Sequence, residues 1–222
     1  MRKTIFTNGE VYHVFNLGVE KRPTFTDKRE YYRAFLTLDF YRHEGMSAGL
    51  AQILKLDFEK RNFFLSQLAI QEKKLVDIFG YCLMPNHFHL LMKQLVDGGI
   101  STFVGNFTNS YTRYFNTKHK RIGHLFQGVF KAVRIEDDEQ LIHVLRYIHI
   151  NPVVSSVIRE TNIDSYLYSS FSEYLGIKKG FCNKELVLKY FSSIEKLRAF
   201  TYDQIDYGKG LESIKHIVIE EF

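Results

Sequence analysis

The sequence has little of what secreted or membrane proteins usually carry. It contains two cysteines among 222 residues and no tryptophan. Cys82 and Cys182 are too few and too far apart to build a disulfide framework, and no C-x-x-C motif occurs, which fits a reducing compartment. The N-terminus lacks the apolar core of a signal peptide, and no apolar run is long enough to cross a bilayer. These absences predict a cytoplasmic protein with no membrane partner.

Acidic residues are absent from one long stretch, residues 101–135. The chain as a whole carries a formal net charge of +5, and a stretch of one sign fits a track for DNA phosphates. Its basic residues are Arg113, Lys118, Lys120, Arg121, Lys131 and Arg134. Aromatic residues interleave with them and could stack on bases. The alternative is a solvated basic loop beside aromatic residues that belong to the core.

Two histidines bracket one apolar residue in a run that otherwise resembles a strand, residues 83–93. Because side chains alternate along extended chain, His87 and His89 share one face while Phe88 and Leu90 share the other. Adjacent imidazoles on a rigid strand suit a divalent metal ion. The alternative is a strand whose histidines hydrogen-bond to neighbours at a solvated edge.

The spacing of apolar residues predicts an alternation of strands and helices. Strands are predicted over 11–17, 76–83, the histidine run and 129–135, and helices over 28–41, 58–73, 101–115, 138–151 and 184–200. Ser101 is expected to cap the third of these helices, and Pro152 to end the fourth. The order predicts an α+β fold with a ferredoxin-like antiparallel sheet and helices packed on one face. We expect a catalytic domain over 1–160 and a mostly helical C-terminal extension over 161–222.

The helix predicted over 138–151 supplies further candidate residues. Tyr147 and Asn151 lie four positions apart, one helical turn, on the flank of the apolar stripe that should face the sheet. Two imidazoles and an amide oxygen make a three-ligand shell with open positions, which suits Mg²⁺ or Mn²⁺ once phosphate oxygens complete it. A tyrosine beside such an ion can attack a phosphodiester. Tyr111 and Tyr114 are rival nucleophiles, but neither has an amide one turn later, so core packing or DNA contact is favoured for both.

Three motifs together resemble the REP-associated branch of the single-tyrosine HUH transposases, an insertion-sequence transposase-like family. They are LMPNHFHLL at 83–91, GHLFQG at 123–128 and RYIHINP at 146–152, and the resemblance covers roughly residues 8–160. It implies that His87 and His89 are metal ligands, that Asn151 is the third ligand and that Tyr147 is the nucleophile. Insertion-sequence relatives carry glutamine at the position of Asn151, and the shorter asparagine would need a slightly closer helix.

The resemblance also implies a function. The substrate would be single-stranded or hairpin DNA, cleaved to a covalent 5′-phosphotyrosine and a 3′-hydroxyl and then rejoined. Insertion-sequence relatives form dimers and REP-associated relatives work as monomers, so a homodimer and a monomer both stay open. Two other functions also stay open: an HUH replication initiator or relaxase, and a domesticated, non-catalytic DNA-binding protein.

Overall fold

The computed structural model describes residues 4–46, 48–206 and 208. Four strands form one sheet: β1 (Val11–Leu17), β2 (Val76–Met84), β3 (His87–Gln94) and β4 (Lys131–Arg134). Their order across the sheet is β2-β3-β1-β4, and every neighbouring pair is antiparallel. The predicted α+β fold with an antiparallel sheet is confirmed.

Eight α-helices are assigned within the described residues: α1 (Lys28–Tyr41), α2 (Leu50–Ile53), α3 (Phe58–Ala69), α4 (Gly99–His119), α5 (Asp138–Val154), α6 (Phe171–Tyr174), α7 (Glu185–Leu188) and α8 (Ile194–Tyr202). The predicted cap at Ser101 was wrong, because α4 begins at Gly99, preceded by Gly98 in the left-handed region at φ 67°. The single helix predicted over 184–200 is two helices, and the side chain of Ser193 caps the second by accepting from the Lys196 N–H.

Pro152 does not end α5, contrary to the prediction. The helix continues to Val154 with Pro152 in its last turn. A proline removes one backbone donor and disfavours helical geometry in the residue before it. Val153 and Val154 are buried in the same core as the rest of α5, and we attribute the extra turn to that tertiary packing.

Helices cover both faces of the sheet, so the prediction of one covered face was wrong. On one face, α1 and α4 pack against apolar side chains of the sheet that include Phe88, Leu90 and Met92. On the other, α5 and the C-terminal residues pack against Cys82, Met84, Leu91 and their neighbours. The alternating side chains of β3 therefore divide between two cores. We call these the α1–α4 face and the α5 face.

A bulge in β2 lets α5 lie close to the sheet. The register of β2 against β3 shifts between Ile78 and Gly80. A Cβ atom on Gly80 would lie 2.3 Å from Cδ1 of Leu145, closer than packed carbon atoms approach. Glycine at this position thus allows the close approach of the helix that carries the candidate tyrosine.

The C-terminal residues line the edge strand β2. The Leu83 N–H donates to Tyr168 O at 2.9 Å, the Ser170 N–H donates to Tyr81 O at 2.9 Å, and the Asn183 N–H donates to Ile78 O at 2.8 Å. Side chains from this segment also fill the core beneath α5: Ile163, Tyr166, Phe171, Tyr174, Val187, Leu197 and Ile205. No helix in the described part of the chain is long and apolar enough to span a membrane.

Candidate active site on the α5 face

The two histidines of β3 face α5. Their ring centroids are 5.0 Å apart and their planes are nearly perpendicular, at 89°. Leu91, two residues further along the same face, is buried in the α5-side core. The period-two alternation of the strand therefore sets both imidazoles at the boundary between that core and solvent.

Helix α5 brings the tyrosine and the amide to these histidines. The Tyr147 ring lies 5.5 Å from the His89 ring, edge-on at 85°. Oδ1 of Asn151 lies 3.3 Å from Nε2 of His87. Four residues that are distant in sequence thus meet in one cluster, and asparagine is long enough to reach the histidine at this distance of the helix from the sheet.

The contacts of His87 suit a metal ligand. Its Nδ1 lies 2.7 Å from Oδ1 of Asn86, an acceptor, so a neutral ring that donates there presents its Nε2 lone pair towards Asn151. Two lone-pair atoms 3.3 Å apart match neighbouring ligands of an octahedral ion, which lie roughly 3 Å apart for bonds of about 2.1 Å. Both atoms are therefore close enough to bind the same cation.

Burial strengthens the electrostatic interaction between this site and any ion that it binds. Asn151 is 3% exposed and His89 is 6% exposed, and charge–charge interactions grow as water is excluded. Among the described residues, no group of three His, Cys, Asp or Glu side chains is placed to hold a metal ion. Asn151 would add an amide oxygen to the two imidazoles, and a mixed N/O set of this kind accepts Mg²⁺ or Mn²⁺.

Comparison with known sequences identifies the region that contains this cluster. The sequence model of the family described as transposase IS200-like matches residues 52–151. Over residues 52–151, the chain is similar to the IS200-like transposase family. This segment includes the two histidines, Tyr147 and Asn151. No curated protein is significantly similar in sequence.

A solved structure shares the fold of most of the chain. It is described as a REP-associated tyrosine transposase bound to a REP hairpin, and it superposes with a TM-score of 0.53 at 13% sequence identity. The match covers 84% of this chain and 93% of the other. The shared fold therefore extends well beyond the IS200-like segment.

His13, which precedes the IS200-like segment, completes the cluster. Its Nε2 lies 2.9 Å from Nδ1 of His89, and its ring lies 6.2 Å from that of Tyr147. Burial lowers the pKa of His13 to about 4, so this imidazole is neutral at pH 7. The sequence shows no ligand spacing around His13. Only the antiparallel pairing that sets Phe15 opposite His89 brings it close.

The six basic residues predicted to bind DNA are not gathered beside this cluster. Lys131 on β4 pairs with Phe15 of β1 and is exposed on the α5 face of the sheet. Lys120 follows α4 in the left-handed region. The other four are placed as follows: Arg113 is exposed on α4, Lys118 forms ion pairs with Asp27 and Glu30, Arg121 lies over the ring of Phe115, and Arg134 pairs with Glu10. Of these six residues, only Lys131 is placed by its strand pairing near the cluster of His87, His89, Tyr147 and Asn151.

Tyr111 and Tyr114, the rival candidates for the nucleophile, lie on the opposite side of the sheet from the paired histidines. Tyr111 is fully buried, its hydroxyl donates to Thr24 O at 2.6 Å, and burial raises its pKa. Such a hydroxyl is a poor source of phenolate. Tyr114 is half-buried on α4 with Arg33 5.3 Å from its ring. Neither hydroxyl shares a site with the paired histidines.

Proposed function

We propose that this protein is a metal-dependent single-stranded DNA transposase or endonuclease that cleaves and rejoins DNA through a covalent 5′-phosphotyrosine. The observation that carries the proposal is the convergence of His87, His89, Tyr147 and Asn151, with the tyrosine ring 5.5 Å from one histidine and the amide oxygen 3.3 Å from the other. The similarity of residues 52–151 to the IS200-like transposase family supports the same reaction class.

The metal would be held by His87, His89 and Asn151. Mg²⁺ or Mn²⁺ bound there would supply charge stabilisation to the phosphodiester oxygens and polarise the scissile phosphate. The burial of Asn151 and His89 favours this arrangement, because few water molecules compete for the ligands.

Tyr147 is the proposed nucleophile. Its Oη forms a bond to phosphorus, the bond between phosphorus and the 3′-oxygen breaks, and the phenolic proton is lost as the departing oxygen gains one. The products are a 5′-phosphotyrosine on one DNA segment and a free 3′-hydroxyl on the other. Attack by a 3′-hydroxyl on the phosphotyrosine reverses these steps and rejoins DNA. The position of Tyr147 on a regular helix would fix the direction of attack.

His13 is proposed to position His89. A histidine that binds a metal through one ring nitrogen almost always donates a hydrogen bond from the other. Nδ1 of His89 lies 2.9 Å from Nε2 of His13, so we assign the donor role to His89 and the acceptor role to His13. This fixes the tautomer of His89 that presents Nε2 to the ion.

The remaining assignments extend this proposal. Strand order β2-β3-β1-β4, with α1 and α4 in the crossovers, supports the ferredoxin-like classification. The domain would span residues 1–160, and residues 161–222 would form an extension whose described part packs beneath α5. Residues 1–3, 47, 207 and 209–222 of these two ranges lie outside the described residues. The DNA partner, single-stranded or hairpin, is proposed by analogy with the related structure bound to a hairpin.

We propose a cytoplasmic location, to which the two free cysteines add support. A homodimer and a monomer remain alternatives.

Covalent trapping tests this function. Single-stranded oligonucleotides from the gene's flanking DNA, labelled at the 5′ or the 3′ end, would be incubated with Mn²⁺ or chelator and separated under denaturing conditions. We expect a metal-dependent adduct that carries the 3′ label with the wild type and none with Tyr147→Phe. An adduct formed by Tyr147→Phe would exclude Tyr147 as the nucleophile. Tight binding without any adduct would favour a non-catalytic DNA-binding protein.

A further inference from the structure

A groove on the α1–α4 face contains a buried cation without an anion. Arg33 on α1 is 9% exposed, and its Nε has no hydrogen-bond partner. Among the described residues, no carboxylate forms an ion pair with it. Its neighbour is the Tyr114 ring, whose centroid lies 5.3 Å from the guanidinium carbon. A buried charge is costly unless it is paired, so this arginine is poorly explained by the fold alone.

Arg33 lines a groove of about 820 Å³ between α1, α2 and α4. The α4 wall presents one polar face: Asn106, Asn109, Ser110, Arg113 and Thr117. Lys55, after α2, adds a further positive charge to the lining. Lys118 also lines the groove, and its ammonium group is paired with Asp27 and Glu30. The groove therefore offers positive charge and hydrogen-bond donors.

We propose that this groove binds the phosphodiester backbone of a paired DNA stem, with Arg33 as the central phosphate ligand. The inference rests on the proposed function, since it assigns a second contact to the same DNA substrate. Burial lowers the pKa of the guanidinium of Arg33, as expected for a charge that lacks a compensating anion. A phosphate in the groove would supply that anion to the guanidinium of Arg33, which lines the groove.

The length of the groove fits a nucleic acid better than a small anion. Positions 106 to 117 of α4 span about 16 Å at 1.5 Å per residue. This corresponds to roughly five steps of one strand at 3.4 Å each. Amide, hydroxyl and guanidinium groups are the side chains that proteins commonly direct at phosphate and sugar. A row of them along one helix suits a repeating backbone.

The aromatic residues of the groove favour a paired stem over a single strand. Single-stranded DNA usually needs aromatic rings on which its bases can stack. The Tyr114 ring is covered by Arg33, and the Tyr41 hydroxyl accepts from the Leu50 N–H at 3.3 Å, which holds that ring in place. With both rings engaged, the groove contacts the backbone and not the bases. The single strand is then left to the tyrosine site across the sheet.

The test compares a stem–loop oligonucleotide with its unpaired tail alone, by fluorescence anisotropy. The protein carries Tyr147→Phe throughout, so that binding is read without cleavage and the result does not depend on whether the tyrosine reacts. Arg33→Met should lower the ratio of stem–loop to tail affinity about ten- to a hundredfold. It should also reduce the salt slope of stem binding by about one. Arg159→Met, which removes one exposed arginine beyond α5, is the matched control and should change neither.

Thermal denaturation separates binding from folding. Because Arg33 is buried without a partner, Arg33→Met should keep or raise the melting temperature while stem binding is lost. A fall in melting temperature together with the loss would show that Arg33 is structural. Asn109→Asp places a negative charge on the exposed wall and should weaken stem binding independently of any fold defect. An unchanged stem–loop to tail ratio in both variants, or an equal loss for the tail alone, would overturn the proposal.

Discussion

Buried polar groups on the two faces of the sheet differ in whether they have protein partners. On the α5 face, His13 contacts His89 and His87 contacts Asn151, so each ring is held by a neighbour. On the α1–α4 face, Arg33 is buried but has no acidic partner among the described residues. A network of mutual contacts holds side chains in position before a ligand arrives. An unpaired cation instead gains its compensation from the ligand itself.

This difference predicts opposite responses to truncation. Removing one member of a network leaves its partner unsatisfied, which costs stability as well as function. Removing an unpaired charge relieves a desolvation cost and affects function alone. Variants on the α5 face should therefore lose both stability and activity, whereas loss of Arg33 should affect function alone.

The largest effect is expected from His87→Ala. Because it deletes one of three proposed ligands and the contact with Asn151 at 3.3 Å, metal-dependent cleavage should be abolished. The measurement is the cleavage rate of a single-stranded oligonucleotide in Mn²⁺, with Mn²⁺ affinity followed by electron paramagnetic resonance.

The matched control for that experiment is His143→Ala. His143 is exposed on α5 and contacts Arg146 at 2.6 Å, away from the paired histidines. Its removal should leave cleavage and Mn²⁺ affinity near wild type. If His87→Ala cleaved DNA at an undiminished rate, the assignment of His87 as a ligand would be withdrawn.

A smaller loss is expected from His13→Ala. Deleting the contact at 2.9 Å frees the His89 ring to reorient, and outer-shell partners of metal ligands typically change affinity about 10- to 100-fold. Mn²⁺ titration measures this directly. His13→Gln keeps an acceptor near the same place and should restore part of the affinity. Affinity unchanged in His13→Ala would mean that His89 needs no support from β1.

Glu30→Gln should have a modest effect on stability and on its pH dependence. Burial alone would raise the pKa of Glu30, but hydrogen bonds from Lys118, His119 and Thr26 lower it overall. Its contribution is therefore complete above the ordinary pKa of 4.5 and is lost as pH falls through the lower folded value. Glu30→Gln should reduce the free energy of unfolding at pH 7 by about 1–3 kcal/mol.

Urea denaturation between pH 7 and pH 3 checks the sign of this effect. The difference between wild type and Glu30→Gln should shrink as the solution is acidified below about pH 4. Glu72→Gln, at an exposed loop position, should follow the wild type throughout. A constant difference across the range would show that the ionised carboxylate of Glu30 is not what stabilises the fold.

Local patterns in the sequence predicted much of the fold. The alternation of His87 and His89 and the four-residue spacing of Tyr147 and Asn151 follow from strand and helix periods, which need no tertiary information. The bounds of β1 and α1 were predicted correctly for the same reason. Helix ends set by tertiary packing were not, as the continuation of α5 past Pro152 shows.

Contacts between distant parts of the chain were beyond prediction. His13 enters the cluster through the register of β1 against β3, and one strand's pattern does not determine the register of its partner. The covering of both faces was missed because an apolar helical stripe shows that a helix packs, without showing on which face. That Arg33 forms no ion pair with any described carboxylate depends on the three-dimensional placement of all its neighbours, which a single sequence cannot show.

The smallest expected effect is the coupling between the two faces. Among the described residues, Arg33 on α1 and His13 on β1 share no contact partner, and their side chains lie on opposite sides of the sheet. Independent sites combine additively within about 0.5 kcal/mol. The double variant Arg33→Met with His13→Ala should therefore bind Mn²⁺ like His13→Ala and stem DNA like Arg33→Met, as shown by titrating each ligand against all four proteins of the cycle. A coupling above about 1 kcal/mol would mean that stem binding changes the geometry of the metal site. Binding of the DNA stem on one face of the sheet would then influence DNA cleavage on the other face.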